Sequence, residues 1–189
     1  MISGKDLIEY IIGHFDQVKA KQLQKLAYLT ELDYMKKHGE RLSDLEFKRY
    51  YFGPYSEGIT EIKEEDENIV TISNTTSNAK FSRIISKDDQ EDRIEQSIKE
   101  EIDRILSKYE GMSGAELEKL ADETEPFIDT DELEEKIDLD GYADHYKALL
   151  SEDKWTKAIK RRDERKKEGA GKRKILKSDS GIDLYFTEF

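Results

Sequence analysis

The chain of 189 residues has no cysteine, only two prolines, a single tryptophan and no long apolar run. Without cysteine there is no disulfide framework, no thiol nucleophile and no thiolate-based metal site. No segment approaches the roughly 18 consecutive apolar residues that a membrane helix needs. The N-terminal apolar run is interrupted by Asp6 and Glu9 and lacks a basic flank, unlike a signal peptide. We therefore expect a cytoplasmic protein that does not enter a membrane.

Hydrophobic residues make up 35% of the chain against 40% charged residues, and the mean hydropathy is -0.87. The apolar residues are nevertheless periodic, which favours amphipathic elements around one economical core over wholesale disorder. The length suits one domain, or one domain with a tail.

The net charge of -12 is unevenly distributed. Residues 151–177 carry twelve Lys/Arg and five Asp/Glu, a local charge of +7, and residues 178–189 hold three acids, so residues 1–150 carry -16. Phosphate would be repelled by most of such a surface, which argues against a protein that coats DNA. An acidic body suits a basic protein partner.

Apolar residues recur at helical spacing in several segments, two of which follow capping-box patterns at Ser3 and Ser113. The predicted helices are residues 4–15, 20–37, 56–65, 89–109, 113–124, 142–150 and 154–167. Two β-branched segments, residues 68–73 and 80–85, are separated by a polar stretch and predict a hairpin. The expected fold class is mainly α with a small antiparallel β-hairpin (α+β).

The most distinctive stretch is residues 20–59. It carries Leu-Gln-Lys-Leu-Ala-Tyr over residues 23–28, then a helix stop at Gly39, then Phe-Gly-Pro-Tyr over residues 52–55. Glycine ends helices readily because it takes a positive φ without a Cβ penalty. Gly53 and Pro54 force a turn, since glycine allows close backbone approach and proline fixes φ.

This stretch resembles the signature of the Panacea domain, also called the SocA-like domain. A second motif of that family, leucine-rich and ending in a Pro-aromatic pair, is similar to residues 117–127. Here Ala121 and Asp122 stand where the family has Thr-His, and Phe127 stands in place of Trp. The resemblance covers about residues 5–128. It implies an antitoxin that neutralises a co-encoded toxin, itself expected to be basic, by binding it directly.

Three regions follow from this resemblance. Residues 1–128 form a Panacea-like domain, residues 129–168 a helical extension that is first acidic and then basic, and residues 169–189 a tail. The tail is unexpectedly apolar, and two alternatives stay open: it adds to the core of the domain, or it docks on a partner.

Seven residues are candidates for partner binding around the Gly-Pro turn. They are Lys25, Tyr28, Tyr51, Phe52, Gly53, Pro54 and Tyr55. Tyrosine favours interfaces because it pairs a large apolar face with a polar tip. The structural alternative is that Tyr28 packs beneath the turn, that Lys25 pairs with a local acid, and that alternate aromatic residues fill the core.

No catalytic constellation appears in the sequence. The three histidines share no ligand spacing, and the aspartates between residues 129 and 140 do not fit a calcium loop. We expect no enzymatic activity, no cofactor and no metal. The alternative function is nucleic-acid binding or regulation through the basic helix 154–167, within the basic run 154–177, although interleaved acids there favour a solvated helix face.

Overall fold

The computed structural model describes residues 1–15, 18–67, 69–71, 80–83 and 93–170. Within these ranges there are seven helices and three short strands. The helices are α1 (Gly4–His14), α2 (Ala20–His38), α3 (Glu57–Glu65), α4 (Gln96–Leu106), α5 (Gly114–Asp122), α6 (Glu125–Ile128) and α7 (Leu139–Ala170). The strands are β1 (Val18–Lys19), β2 (Ile69–Thr71) and β3 (Lys80–Arg83). The mainly helical class is confirmed.

Helix α2 is the centre of the fold. It packs against α1, α4 and α5, and it buries residues on every side, including the polar Gln24, Lys25 and Glu31. It ends as predicted at Gly39, whose φ is +69° and whose N–H donates to the Met35 carbonyl at 2.8 Å. The direction in which the chain leaves α2 is therefore fixed by the conformation of Gly39.

Of the two predicted capping boxes, the one at Ser113 is complete at the start of α5, whereas at the start of α1 Ser3 forms only the N-cap half. The Ser3 hydroxyl accepts from the Asp6 N–H at 3.1 Å. The Ser113 hydroxyl accepts from the Glu116 N–H at 3.3 Å, while the Glu116 carboxylate accepts from the Ser113 N–H at 2.7 Å. Each cap satisfies backbone donors that a helix start leaves without a partner.

The strands form one antiparallel sheet in the order β1-β3-β2. Ile69 lies opposite Arg83, and Val18 lies opposite Phe81. The rest of the predicted hairpin, including its loop, lies outside the described residues. The helix predicted over residues 89–109 is shorter in the structure: it begins at Gln96, with Glu95 as its N-cap, and ends at Leu106. No helix in the described part of the chain combines the length and the apolar character needed to cross a membrane.

The chain divides into two compact units, residues 1–150 and 151–189. The first unit continues past residue 128, where the family resemblance ends, and four later apolar side chains are buried in its core. These are Ile137, Leu139, Ala143 and Tyr146. The described part of the second unit is the C-terminal part of α7, from residue 151 to residue 170. The sequence predicts two helices, residues 142–150 and 154–167, where the structure has the single helix α7. The predicted tail lies outside the described residues from residue 171 onward.

The buried carboxylate of Glu31 fixes the segment between α2 and the aromatic loop, residues 48–55. Glu31 is fully buried, and its Oε1 accepts from Arg41 Nε at 2.6 Å and from the Leu42 N–H at 3.0 Å. Its Oε2 accepts from the Ser43 N–H at 3.0 Å and from the Ser43 hydroxyl at 2.7 Å. Helix α2 thus holds the chain that leads to the candidate site.

Candidate protein-binding site

The aromatic segment forms a closed loop. Lys48 and Tyr55 exchange two backbone hydrogen bonds, of 2.8 and 3.0 Å. Within the loop the Gly53 N–H donates to the Tyr50 carbonyl at 3.1 Å, and the φ of Gly53 is +84°. A residue with a Cβ is strained at this φ, so the turn requires the glycine that the sequence provides.

The side chain of Lys25, on α2, binds the backbone of this turn. The side chain is only 3% exposed, and its Nζ donates to the Pro54 carbonyl oxygen at 2.7 Å. Burial lowers the pKa of Lys25 to about 8, against the opposing influence of Asp122 and Glu118. Lys25, one of the predicted partner-binding residues, therefore also contacts the backbone of the turn.

Gly53 lies between Lys25 and Asp122. A Cβ at this position would lie 2.5 Å from Asp122 Oδ1 and 3.1 Å from Lys25 Nζ. Burial raises the pKa of Asp122, and its Oδ1 has no hydrogen-bond partner among the described residues. The close approach of backbone, ammonium and carboxylate leaves no space for a side chain at residue 53.

Gln24 fixes the chain immediately after the turn. Its Nε2 donates to the Ser56 carbonyl at 2.9 Å, and its Oε1 accepts from the Ser56 N–H at 2.8 Å. Both partners are buried. Neighbouring residues of α2 thus bind the backbone at residues 54 and 56, where α3 is about to begin.

Tyr28 connects the two family motifs. Its ring packs edge-on against Phe47 with centroids 5.3 Å apart, and its hydroxyl is 2.8 Å from the Thr124 hydroxyl. Because the Thr124 hydroxyl donates to the Ala121 carbonyl at 2.7 Å, the Tyr28 hydroxyl donates to Thr124. Burial raises the pKa of Tyr28. Tyr28 is thus buried and packed within the fold, as in the structural alternative given above.

The beginning of the loop, at Arg49, is hydrogen-bonded to the segment after α6. Arg49 exchanges backbone hydrogen bonds of 2.8 Å with Glu134 and Glu135. Its Nη1 donates to the carbonyls of Phe127 and Thr130 at 2.8 and 2.9 Å, and the guanidinium lies 4.5 Å from the centroid of the Phe127 ring. The aromatic residue of the second motif therefore lies beneath Arg49.

The tip of this anchored loop is exposed. Tyr51 is 71% exposed and Phe52 is 64% exposed. Tyr50 contacts both Tyr51 and Tyr55 with ring centroids 5.3 Å apart, and the Tyr55 hydroxyl is 3.0 Å from that of Thr60. Lys21 Nζ lies 4.9 Å from the centroid of the Phe52 ring. Two large aromatic side chains are thus presented to solvent on a fixed backbone.

The structure brings together six of the seven predicted site residues, and Tyr28 lies deeper, beneath Thr124. Lys25, Tyr28, Gly53 and Pro54 are buried, Tyr55 is half-buried, and Tyr51 and Phe52 are exposed. Sequence reasoning missed Gln24, Asp122 and Thr124. Gln24 lies inside the recognised Leu-Gln-Lys-Leu run, and the other two lie inside the second motif, so their positions in the motifs were the available signal.

The described residues hold no group of three or more His, Asp or Glu side chains arranged to bind a metal ion. A protein-family model described as "Antitoxin SocA-like, Panacea domain" matches residues 23–127, which contain both motifs and the turn. No curated protein and no solved structure matches the chain.

Proposed function

Because this chain belongs to the SocA-like antitoxin family of Panacea domains, we propose that it is an antitoxin that neutralises a co-encoded toxin by direct binding. The proposed action is stoichiometric occupation of the toxin, without catalysis. Its contact surface centres on the tip of the aromatic loop.

The exposure of Tyr51 and Phe52 on an anchored turn is the observation that carries this proposal. Aromatic side chains dominate binding energy when a partner covers them. A loop whose backbone is already fixed by Lys25 and Gln24 loses little conformational entropy on binding. These side chains fill no core position, so a role in folding does not account for them.

Electrostatics supports a basic partner. Residues 1–150 carry a charge of -16. An acidic protein surface attracts a basic partner and repels nucleic acid. We therefore propose a basic toxin.

The test is growth of a host that expresses each open reading frame next to this gene, with and without this chain. We expect one neighbour to be toxic alone, and to be harmless and co-purified when this protein is present. The double variant Tyr51→Ala/Phe52→Ala should lose protection and co-purification. Trp155→Ala is the matched control, because Trp155 is equally exposed at 71% but lies on α7 in the second unit.

Two results would contradict the proposal in different ways. If no neighbour is toxic, the antitoxin role is lost and only the family assignment remains. If protection survives the double loop variant but not Trp155→Ala, the chain is an antitoxin that binds through another surface.

A second candidate function rests on the second unit. The side chains of Lys154, Lys157, Lys160 and Arg161 are exposed on α7. A basic helix of this kind suits phosphate contacts, for instance at an operator of the chain's own gene. Binding to operator DNA that weakens steeply with added salt, and that is lost when these four residues are changed to Gln, would support this role. Salt-insensitive or absent binding would eliminate it.

A further inference from the structure

A groove of about 720 Å³ lies between the start of α1, the segment that leads into the aromatic loop, and α3. Three lysines and six acidic side chains line it. The acidic ones are Asp44, Glu46, Glu57, Glu61, Glu65 and Glu134. Lys48 and Tyr55, whose backbones close the aromatic loop, also line this acidic groove, so it adjoins the proposed contact surface.

The lysines neutralise only part of the negative charge of the acidic groove. Two of them pair with one lining carboxylate each: Lys48 with Glu57 at 2.5 Å, and Lys136 with Glu46 at 2.6 Å. The third, Lys5, pairs with two acids that do not line the groove. In the described part of the chain the other four lining carboxylates form no salt bridge. The acidic groove therefore keeps an excess of negative charge.

Helix α3 concentrates this charge on one face. Glu57, Glu61 and Glu65 are spaced four residues apart, so their side chains follow one another along the helix. Carboxylates four residues apart repel each other and destabilise a helix. Lys48 offsets this repulsion at Glu57, whereas Glu61 and Glu65 are exposed and without a salt bridge among the described residues. A cation from a partner would relieve it.

A hydroxyl without a hydrogen-bond partner lies in the same groove. Ser56 is 1% exposed, and its Oγ has no partner among the described residues. Gln24 binds both backbone groups of Ser56, and the hydroxyl does not cap α3. A Cβ on Gly58, which also lines the groove, would lie 3.7 Å from this Oγ. Because a buried polar group ordinarily has a partner, an N–H donor that enters the groove would satisfy it.

From this geometry we propose that the acidic groove receives a basic segment of the toxin, an extended chain with arginine at alternate positions. Successive glutamates of α3 are about 6 Å apart along the helix axis. Alternate side chains of an extended segment are about 6.6 Å apart, so successive arginines can meet successive carboxylates. A guanidinium has five N–H donors, and one that binds a carboxylate can also donate to the Ser56 hydroxyl.

This inference rests on the proposed function and names the part of the toxin that the antitoxin recognises. The charge of -16 on residues 1–150 attracts any basic protein. The row of carboxylates on α3 determines where along the surface a basic segment binds. Because the acidic groove adjoins the aromatic loop, one partner can cover Tyr51 and Phe52 and fill the groove together.

The acidic groove can be probed without the toxin. The probe is the peptide acetyl-Arg-Ala-Arg-Ala-Arg-amide, and the control peptide has citrulline, a neutral isostere, in place of each arginine. Titrations of the full-length protein at low salt are followed by the ¹⁵N amide signals of Gly58 and Glu61. We expect saturable shifts with the arginine peptide and at least tenfold weaker binding of the citrulline peptide, because the charge-assisted contacts are lost.

Paired variants of α3 and its C-terminal flank separate the groove from the general charge of the protein. Glu61→Gln/Glu65→Gln should weaken binding of the arginine peptide about tenfold, the loss of two exposed ion pairs. Glu64→Gln/Glu67→Gln changes the net charge equally at exposed positions that do not line the groove, and should leave binding nearly unchanged. Ser56→Ala removes a hydroxyl without a partner in the described structure, so it should weaken peptide binding without lowering stability.

Four results would overturn the proposal. These are equal binding of the two peptides, no binding of the arginine peptide, equal weakening by both pairs of glutamate variants, and unchanged binding by Ser56→Ala. Sedimentation of the free protein adds a fifth. If it self-associates and Glu61→Gln/Glu65→Gln abolishes this, the groove holds the basic run of a second copy instead of the toxin.

The toxin assay separates this proposal from the proposed function. Glu61→Lys/Glu65→Lys should abolish protection, and Glu64→Lys/Glu67→Lys should preserve it. If Tyr51→Ala/Phe52→Ala loses protection while Glu61→Lys/Glu65→Lys keeps it, the antitoxin role stands and the acidic groove is not a toxin site. If no neighbour is toxic, the proposed function fails, and the peptide titration alone decides whether the groove binds a basic segment.

Discussion

The Nζ of Lys25 donates a hydrogen bond of 2.7 Å to the carbonyl oxygen of Pro54, which connects the interior of the central helix to the aromatic turn. Gln24, the preceding residue, binds both backbone groups of Ser56. Two adjacent helical residues therefore determine the path of the chain through residues 54–56. The backbone that follows the exposed tip of the loop is thereby anchored to α2.

The first prediction concerns Gly53. Gly53→Val should lower the free energy of unfolding by roughly 3 kcal/mol or more, because strain at positive φ and overpacking each cost about 1–3 kcal/mol. The overpacking arises from the 2.5 Å approach of a Cβ to Asp122 Oδ1. Chemical denaturation measures the change, and protection against the toxin should fall with it.

Gly111 provides the control for backbone strain alone. Its φ is +75°, and a Cβ there meets no atom within 4 Å. Gly111→Ala should cost about 1 kcal/mol, and Gly53→Ala clearly more. Equal effects at the two positions would mean that the contacts with Asp122 and Lys25 do not matter.

The second prediction is a pH dependence of stability. The folded protein releases the proton of Lys25 near pH 8, while the unfolded chain keeps it up to the ordinary pKa of 10.5. Between these values the unfolded state binds more protons, so the free energy of unfolding rises with pH. Above about pH 10 the raised pKa of Tyr28 acts in the opposite direction, because the folded state then holds the extra proton.

Denaturation of the wild type and of Lys25→Met at pH 8, 9 and 10 tests this origin. Burial also lowers the pKa of Lys63, so the single variant should retain part of the rise and the double variant Lys25→Met/Lys63→Met none. If the free energy of unfolding of Lys25→Met rises with pH as steeply as that of the wild type, another group causes the rise.

Much of this site was predictable from local pattern. The helix stop at Gly39, the caps at Ser3 and Ser113, and the turn at Gly53 depend on residues close in sequence. The turn chemistry of Gly and Pro needs no tertiary information. These local features were sufficient to locate the loop.

The hydrogen-bond partners of Lys25 and Tyr28 are distant in sequence and were not predictable. Pro54 is 29 residues from Lys25, and Thr124 is 96 residues from Tyr28. A charged residue on a helix is usually solvated, so its burial follows only from the packing of three elements around it. Ile137 and Leu139 were missed for the same reason, since an acidic segment gave no sign that they fill the core.

The third prediction concerns Glu31. Glu31→Gln should destabilise the protein by about 3 kcal/mol, because it removes the charge paired with Arg41 in a buried site. The amide nitrogen would also place a donor opposite the N–H of Leu42 or Ser43. Glu46→Gln is the control: Glu46 is 69% exposed and pairs with Lys136, so about 0.5 kcal/mol or less is expected. Similar losses in both variants would show that burial of Glu31 contributes nothing.

The last prediction concerns where the folding unit ends. Chains that stop at residue 168 or at residue 150 should unfold as cooperatively as the full-length protein, because the described core cluster ends at Tyr146. A chain of residues 1–128 covers the whole family match but lacks Ile137, Leu139 and Tyr146. Burial of each such side chain contributes about 1.5–3 kcal/mol, and their sum rivals the 5–15 kcal/mol of a typical domain.

We therefore expect the chain of residues 1–128 to be unfolded or aggregated, as measured by circular dichroism and thermal denaturation. Replacing Ile137 and Leu139 by Ala in the chain of residues 1–150 should reproduce much of this loss. Replacing the exposed Leu133 and Leu149 should not. A folded and cooperative chain of residues 1–128 would show that the segment after α6 covers a core that is already complete. The boundary at residue 128 implied by the family resemblance would then be the physical one.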